Sequence, residues 1–159
     1  MSDHPTKSSI SWGPLSEAWP SLFRISVGLY WLYFASTKWN GVEWVKGLMQ
    51  GAGAANPIPG LKELLTDVVA PNWYLFAVAQ TAGETVVGVL LILGLATRWA
   101  ALLGLLLAFG LAFVVAFEVG DPGFRWLYYL AVIVNAQVMV SGAGPYALSG
   151  FTWVPRALR

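Results

Sequence analysis

Cysteine is absent from this chain of 159 residues, and histidine occurs once, as His4 in the N-terminal tail. Without cysteine the chain has no disulfide, no iron–sulfur cluster and no thiolate metal site. One histidine excludes a bis-histidine haem, an ordinary zinc or copper site, and a nucleophilic triad built on histidine. If this protein takes part in redox chemistry, it must bind a mobile electron carrier or work beside a subunit that holds a cofactor.

Charge is scarce as well, because charged residues make up 11% of the chain and the net charge is +1. A typical soluble domain carries about 25% charged residues, so an ordinary water-soluble core is not expected. The small net charge offers no basic surface for nucleic acid. Hydrophobic residues reach 57%. This composition predicts an all-α integral membrane protein surrounded by lipid, and the length allows one domain.

Four apolar stretches are long enough to cross a hydrocarbon core, which needs about 20 helical residues. They cover residues 19–39, 73–95, 99–117 and 126–142. Each begins at a tryptophan, as is typical of residues at the membrane interface. We therefore predict a four-transmembrane-helix bundle over residues 19–150, with tails at 1–18 and 151–159. The lysines and arginines favour cytoplasmic termini, since the side holding both tails would carry Lys7, Arg24, Arg98, Arg156 and Arg159.

The connection at residues 40–72 is long and is predicted to lie on the outer side. Apolar residues at helical spacing predict two short surface helices, at 42–49 and 61–69. A flexible Gly-Ala run at residues 51–55 is expected between them. A loop of this length either carries function or covers the end of the bundle, and the sequence favours neither.

Small residues recur every four positions in the third stretch and form the best packing face in the sequence. They are Ala100, Gly104, Ala108, Ala112 and Ala116. In the fourth stretch, Asn135 and Gln137 must point at protein partners or at water. Hydrogen bonding between helices is the plainer interpretation of both amides.

Glu84 is the one charged residue in the second stretch, and it lies about 17 Å along the helix from Trp73, close to the membrane midplane. A carboxyl group at this depth is costly unless it is neutralised, paired or hydrated. Gln80, Thr81 and Gly88 share its face of the helix. Glu84 therefore marks a candidate functional site, and a structural ion pair is the competing interpretation.

One side of the first stretch carries two cations separated by small and aromatic residues. Its members are Arg24, Gly28, Trp31, Ala35 and Lys38. Both cations lie near the ends of the stretch, where they can snorkel toward the headgroups. If this side faces Glu84, the carboxyl group lies between the cations in depth and within reach of Arg24. Arg98, in the next tight turn, serves topology or binds an anion or quinone carbonyl through its planar fork of donors.

Three short motifs follow one another along the chain. The first is the 24–28 segment Arg-Ile-Ser-Val-Gly followed by Lys38, and the second is Glu84 with residues 88–98 behind it. The third is the glycine-rich ending at residues 142–149. Together they resemble the DoxX-like membrane protein family. The long loop that begins at Lys38 is closer to the DoxD branch, the small subunit of thiosulfate:quinone oxidoreductase.

The resemblance implies a four-helix bundle in a prokaryotic cell membrane, working beside a second oxidoreductase subunit. Such a protein passes electrons from thiosulfate or another sulfur compound to quinone, which is a mobile acceptor. In this interpretation Glu84 is the catalytic residue that exchanges protons. The ligand-binding residues are Arg24, Lys38, Arg98, Trp31 and Gln80, and Trp31 and Tyr30 are the expected neighbours of the quinone ring. A non-catalytic anchoring subunit of a larger respiratory or photosynthetic complex is the alternative, and a small-solute or proton transporter is the third hypothesis.

Overall fold

The computed structural model describes residues 13–152 and 154–155, with side chains from residue 16 onward. Every regular element in this part of the chain is helical, so the prediction of an all-α protein is confirmed. The helices are α1 (Gly13–Trp39), α2 (Glu43–Ala55), α3 (Leu61–Leu64), α4 (Trp73–Leu93), α5 (Thr97–Val114) and α6 (Pro122–Ser141). The tail residues named above, His4, Lys7, Arg156 and Arg159, lie outside the described residues.

Three helices, α4, α5 and α6, are long and apolar enough to cross a membrane. They match the second, third and fourth predicted stretches, and an integral membrane protein is confirmed. Helix α1 covers the first stretch and begins ahead of it, at Gly13. It is longer than the others but less apolar, because it carries Glu17, Arg24 and Lys38. A bundle of four spans therefore stays a prediction.

Helix α1 runs antiparallel to α4 and packs mainly on it. The two backbones approach closely at Gly28 and Gly88. A Cβ atom on Gly28 would lie 2.9 Å from the Gly88 carbonyl oxygen, and one on Gly88 would lie 3.0 Å from that of Gly28. Both distances are too short for a relaxed side chain, so glycine at these positions lets the helices cross. The crossing turns the predicted side of α1 toward α4.

Helix α5 packs on α6 and α4 through the predicted stripe of small residues, all of which are buried. At Gly104 the missing side chain leaves room for the Asn135 amide of α6. Asn135 accepts a 3.1 Å hydrogen bond from Trp31 Nε1 and donates a 2.7 Å hydrogen bond to the Ala131 carbonyl oxygen. The Asn135 amide therefore joins α1 to α6 across the backbone of α5. Gln137, the other amide of the fourth stretch, is exposed.

The connection between α1 and α4 contains two short helices, α2 and α3, as predicted. The Gly-Ala run is helical, and the expectation of flexibility is wrong, because α2 continues to Ala55. Ala52 and Gly53 are buried, and a Cβ atom on Gly53 would lie 2.8 Å from Thr66 Oγ1. Thr66 belongs to Leu65–Val69, one π-helical turn that continues α3. Close packing on this turn outweighs the low helix propensity of glycine.

Asn56 fixes this connection to the bundle. The side chain is 3% exposed, and its Nδ2 atom donates a 2.7 Å hydrogen bond to the Phe113 carbonyl oxygen in the last turn of α5. The last carbonyl groups of a helix lack intrahelical partners, so the amide satisfies one of them. Helix α2 is thereby held at the end of the bundle where α1 ends and α4 begins. We refer to this end as the α2 end, and to the opposite end, at the α4–α5 turn, as the turn end.

Candidate functional site

A buried ion pair lies between α1 and α4. The Lys38 Nζ atom is 2.5 Å from the Glu84 Oε2 atom, and Glu84 is 1% exposed. Gln80 Nε2 donates a 3.1 Å hydrogen bond to Glu84 Oε1, so both carboxylate oxygens have partners. Lys38 donates a further hydrogen bond of 3.2 Å to the Phe34 carbonyl oxygen. The Glu84 carboxylate thus has one partner on its own helix and one on α1.

Lys38 reaches the carboxylate because its side chain folds back along α1. Side chains on a helix tilt toward its N-terminus, and Lys38 lies in the last turn of α1, so its ammonium group points into the bundle. The expectation that it snorkels outward is wrong. Arg24, near the other end of α1, extends away from Glu84 for the same geometric reason. The carboxylate therefore pairs with Lys38 and not with Arg24.

Arg24 is fully buried at the turn end, where it binds backbone carbonyl groups. Its guanidinium donates to the carbonyl oxygens of Leu91 and Ile92 in the last turn of α4. It also donates to those of Ala143 and Tyr146 in the segment after α6, at 2.9 and 2.7 Å. A cation near a helix C-terminus satisfies orphan carbonyl groups and opposes the helix dipole. Arg24 therefore joins three parts of the bundle at a distance from the ion pair.

Arg98 also lies at the turn end, in the first turn of α5, where its side chain is exposed. Its guanidinium is next to the glycine break after α6, since a Cβ atom on Gly142 would lie 3.9 Å from Arg98 Nε. The structure does not bring Arg24 or Arg98 together with the ion pair. The predicted residues that it brings together are Glu84, Lys38, Gln80 and Trp31.

A largely enclosed cavity of about 120 Å³ borders the ion pair toward the α2 end. Its charged and amide side chains are Lys38, Gln80 and Glu84. Its aromatic walls are formed by Tyr30, Trp31, Phe34, Trp44 and Tyr128. Because the Trp31 Nε1 atom is bonded to Asn135, this indole is held in place and offers the cavity its ring. The result is an apolar, aromatic chamber with one acid and one cation in its wall.

The size and chemistry of the cavity suit one planar ring that carries oxygen acceptors. In another protein a dry cavity of about 150 Å³ binds benzene, so the space here is on the scale of one six-membered ring. Among the described residues, Lys38 uses two N–H donors, on Glu84 and on Phe34, and keeps a third for a ligand oxygen. Glu84 can take up or release a proton beside that oxygen.

Sequence reasoning missed what α2 and α6 bring to this cavity. Trp44, Leu48 and Met49 recur at helical spacing, so the sequence carried a signal for an apolar face of α2 but not for what that face covers. Tyr128 belongs to a cluster of aromatic residues at the start of α6, and no sequence feature distinguishes it from its neighbours. Tyr30 is the other aromatic residue that the sequence predicts beside a ligand ring.

A bundle of apolar helices around a buried acid–lysine pair defines a helical integral membrane protein with a candidate binding cavity. The DoxX family model matches residues 20–116, more than half of the chain, and the chain therefore belongs to the DoxX family. DoxX proteins are membrane proteins that are often linked to oxidoreductase-related roles. The match includes α4, α5 and most of α1, and it ends before α6. No curated protein and no solved structure matches the chain.

Proposed function

We propose that the protein is the membrane subunit of a quinone-linked oxidoreductase and that its cavity binds the quinone ring. The observation that carries this proposal is the Lys38–Glu84 pair in the wall of an aromatic cavity the size of one ring. The free N–H of Lys38 donates to one quinone carbonyl oxygen, and the ring packs against Tyr30 and Phe34. Reduction to the quinol takes two electrons, which the partner subunit supplies, and two protons, which come from water, and Glu84 takes up protons and passes them to the reacting oxygen.

The electrons come from a second subunit in this proposal, because a chain without cysteine and with one histidine offers no ordinary site for a redox cofactor. Thiosulfate or another sulfur compound is the proposed electron donor. This assignment rests on the resemblance to the DoxD branch, to which the long connection between α1 and α4 contributes. The partner would act on bound quinone from the membrane surface.

We further propose that α1 is the fourth span. Its 27 residues extend about 40 Å at 1.5 Å per residue, which exceeds a hydrocarbon core of about 30 Å. Its two cations, which lie near the ends of the apolar stretch, have partners inside the bundle, Arg24 on carbonyl groups and Lys38 on Glu84. With α1 spanning, both termini lie on one side, and the lysine and arginine distribution favours the cytoplasm of a prokaryotic cell.

Purification of the protein with its partner from native membranes tests the proposal. We expect quinone to be extracted from the wild-type complex and from the control variant Glu17→Gln, an exposed acid on α1. The Glu84→Gln variant should lose thiosulfate-dependent quinone reduction by about 100-fold, the scale of a general acid–base contribution. A complex that holds no quinone and whose Glu84→Gln variant keeps full activity contradicts the proposal.

The anchoring subunit is the second candidate, and one observation favours it. Arg24 and Asn135 are fully buried, and their hydrogen bonds go to backbone groups and to one indole within the bundle. The Lys38–Glu84 pair would then be a third link of this kind. This function predicts co-purification with a large respiratory or photosynthetic complex, and variants at position 84 that lose assembly while the assembled fraction keeps full turnover.

A further inference from the structure

A second space adjoins the ion pair on the outside of the bundle, between the C-terminal part of α1 and α4. This groove has a volume of about 540 Å³ and is open along one side. Most of its lining is apolar and consists of Trp39, Val42, Tyr74, Val78, Ala82 and Val86, and its polar side chains are Lys38, Glu43, Thr81 and Thr85. Because α4 is long and apolar enough to cross a membrane, we expect the open side of the groove to face lipid acyl chains. We refer to it as the lateral groove.

Lys38 connects the lateral groove to the enclosed cavity, because it lines both. Its side chain therefore borders both spaces, and its ammonium group carries the one N–H that the described residues leave unused. A molecule with a polar ring and an apolar chain fits both spaces at once.

The volumes of the cavity and of the lateral groove indicate which part of such a molecule each space would hold. The cavity of about 120 Å³ holds one ring and no chain, whereas the groove of about 540 Å³ is within the range of small-molecule sites. Trp39 Nε1 donates a 3.1 Å hydrogen bond to Thr85 Oγ1, which ties the groove wall on α1 to α4. A chain leaving the cavity would pass beside this indole into lipid.

We propose that the lateral groove is the subsite for the isoprenoid chain of a long-chain lipoquinone, and that the ligand enters from the membrane between α1 and α4. This inference rests on the proposed function, which assigns the quinone ring to the cavity. Lipid acyl chains already offer an isoprenoid chain apolar surroundings, so the groove adds little affinity and acts by giving the chain a path. Blocking it should exclude ligands with a chain and spare ligands without one.

The test uses two quinones with the same ring, one without a chain and one with a long isoprenoid chain, and protein in lipid nanodiscs. The Ala82→Trp variant fills the groove, and Ala79→Trp is the matched control, since Ala79 is an exposed alanine of α4 that does not line the groove. Val78→Phe is a second filling variant in case Ala82→Trp is poorly folded. We expect Ala82→Trp and Val78→Phe to weaken binding of the long-chain quinone by about tenfold or more, as measured by its dissociation constant.

Binding of the chainless quinone should change by less than about twofold in the same variants, and Ala79→Trp should bind both quinones as the wild type does. Equal weakening of both quinones by the filling variants, or no weakening of either, overturns the chain subsite while leaving the ring site in place. If wild-type protein binds neither quinone, the proposed function itself fails, and the chain subsite fails with it.

Discussion

Glu84 and Lys38 are charged side chains that each become tolerable inside the bundle because the other is present. Removing one member of a buried ion pair costs about 3–5 kcal/mol, whereas replacing both with apolar residues is often neutral or stabilising. The pair is therefore poorly explained by stability alone. The proposed quinone site needs both a hydrogen-bond donor and a proton acceptor, and it would account for the two charges.

Single and double substitutions of the pair should show strong coupling. Lys38→Met and Glu84→Gln each leave one buried charge alone, so each should lower the free energy of unfolding in detergent by about 3 kcal/mol. The double variant Lys38→Met/Glu84→Gln should lose less than either single variant. Denaturant titration followed by tryptophan fluorescence measures all three, with Glu17→Gln as an exposed control. Additive losses would show that the two side chains do not interact.

At the residue scale, the side of α1 that faces Glu84 could be predicted from the sequence, and the pairing could not. Counting along the helix places Glu84 near the midplane and puts both cations of α1 on the facing side. Which cation meets the carboxylate depends on the direction in which each long side chain extends from its helix, toward Glu84 for Lys38 and away from it for Arg24. The carbonyl partners of Arg24 come from the end of α4 and the segment after α6, which no spacing rule brings together.

The helices themselves are held together by small residues at close crossings. Gly28 and Gly88 let α1 lie against α4, and Gly104 in the stripe on α5 leaves room for the Asn135 amide of α6. Between lipid-exposed helices, close backbone packing and polar contacts replace the hydrophobic effect as the source of association. The crossing therefore also sets the separation across which Lys38 reaches Glu84.

Adding one methyl group at the crossing should weaken the bundle. In Gly28→Ala the new Cβ atom would lie 2.8 Å from Ile92 Cγ1 and 2.9 Å from the Gly88 carbonyl oxygen, so α1 must move. We expect a loss of about 1–3 kcal/mol in the free energy of unfolding, the cost of overpacking. Gly110→Ala on α5 is the matched control, because no neighbouring atom lies within 4 Å of its Cβ position. Equal stability of the two variants would contradict this account of the crossing.

At the element scale, hydropathy located α4, α5 and α6 to within a few residues, because long apolar runs leave few alternatives. The Gly-Ala run of α2 was assigned wrongly because glycine has a low intrinsic helix propensity. The packing of Gly53 against Thr66 keeps this run helical, and the contact joins residues from two separate short elements. The helix propensity of the run alone cannot predict a contact between separate elements.

The whole molecule is an antiparallel arrangement in which α1, α4, α5 and α6 alternate in direction, with α2 held at one end by Asn56. The cavity exists only because five helices contribute to its wall. Glu84, Lys38, Gln80 and Trp31 could be proposed as site residues from the sequence. The enclosed cavity could not be predicted, because residues of α2 close one side of it. The position of α2 depends on how the long connection between α1 and α4 folds.

Introduced cysteines test whether α1 spans the membrane, since the natural chain has none. Three exposed positions serve as reporters: Glu17 on α1, Gln50 on α2, and Gly150 after α6. On intact cells a membrane-impermeant maleimide should label Gln50→Cys and spare Glu17→Cys and Gly150→Cys until the membrane is opened. Labelling of Glu17→Cys together with Gln50→Cys would place both ends of α1 on one side and exclude a fourth span.

Photoaffinity labelling tests most directly whether the cavity beside Lys38 and Glu84 binds a quinone ring. Purified protein is irradiated with a quinone whose ring carries an azido group, and labelled peptides are mapped by mass spectrometry. The label should fall on the cavity-lining parts of α1, α2 and α4, be displaced by excess unlabelled quinone, and be lost in Lys38→Met. A label spread over the lipid-facing residues, unchanged by competitor and by the Lys38 substitution, would contradict quinone binding at this site.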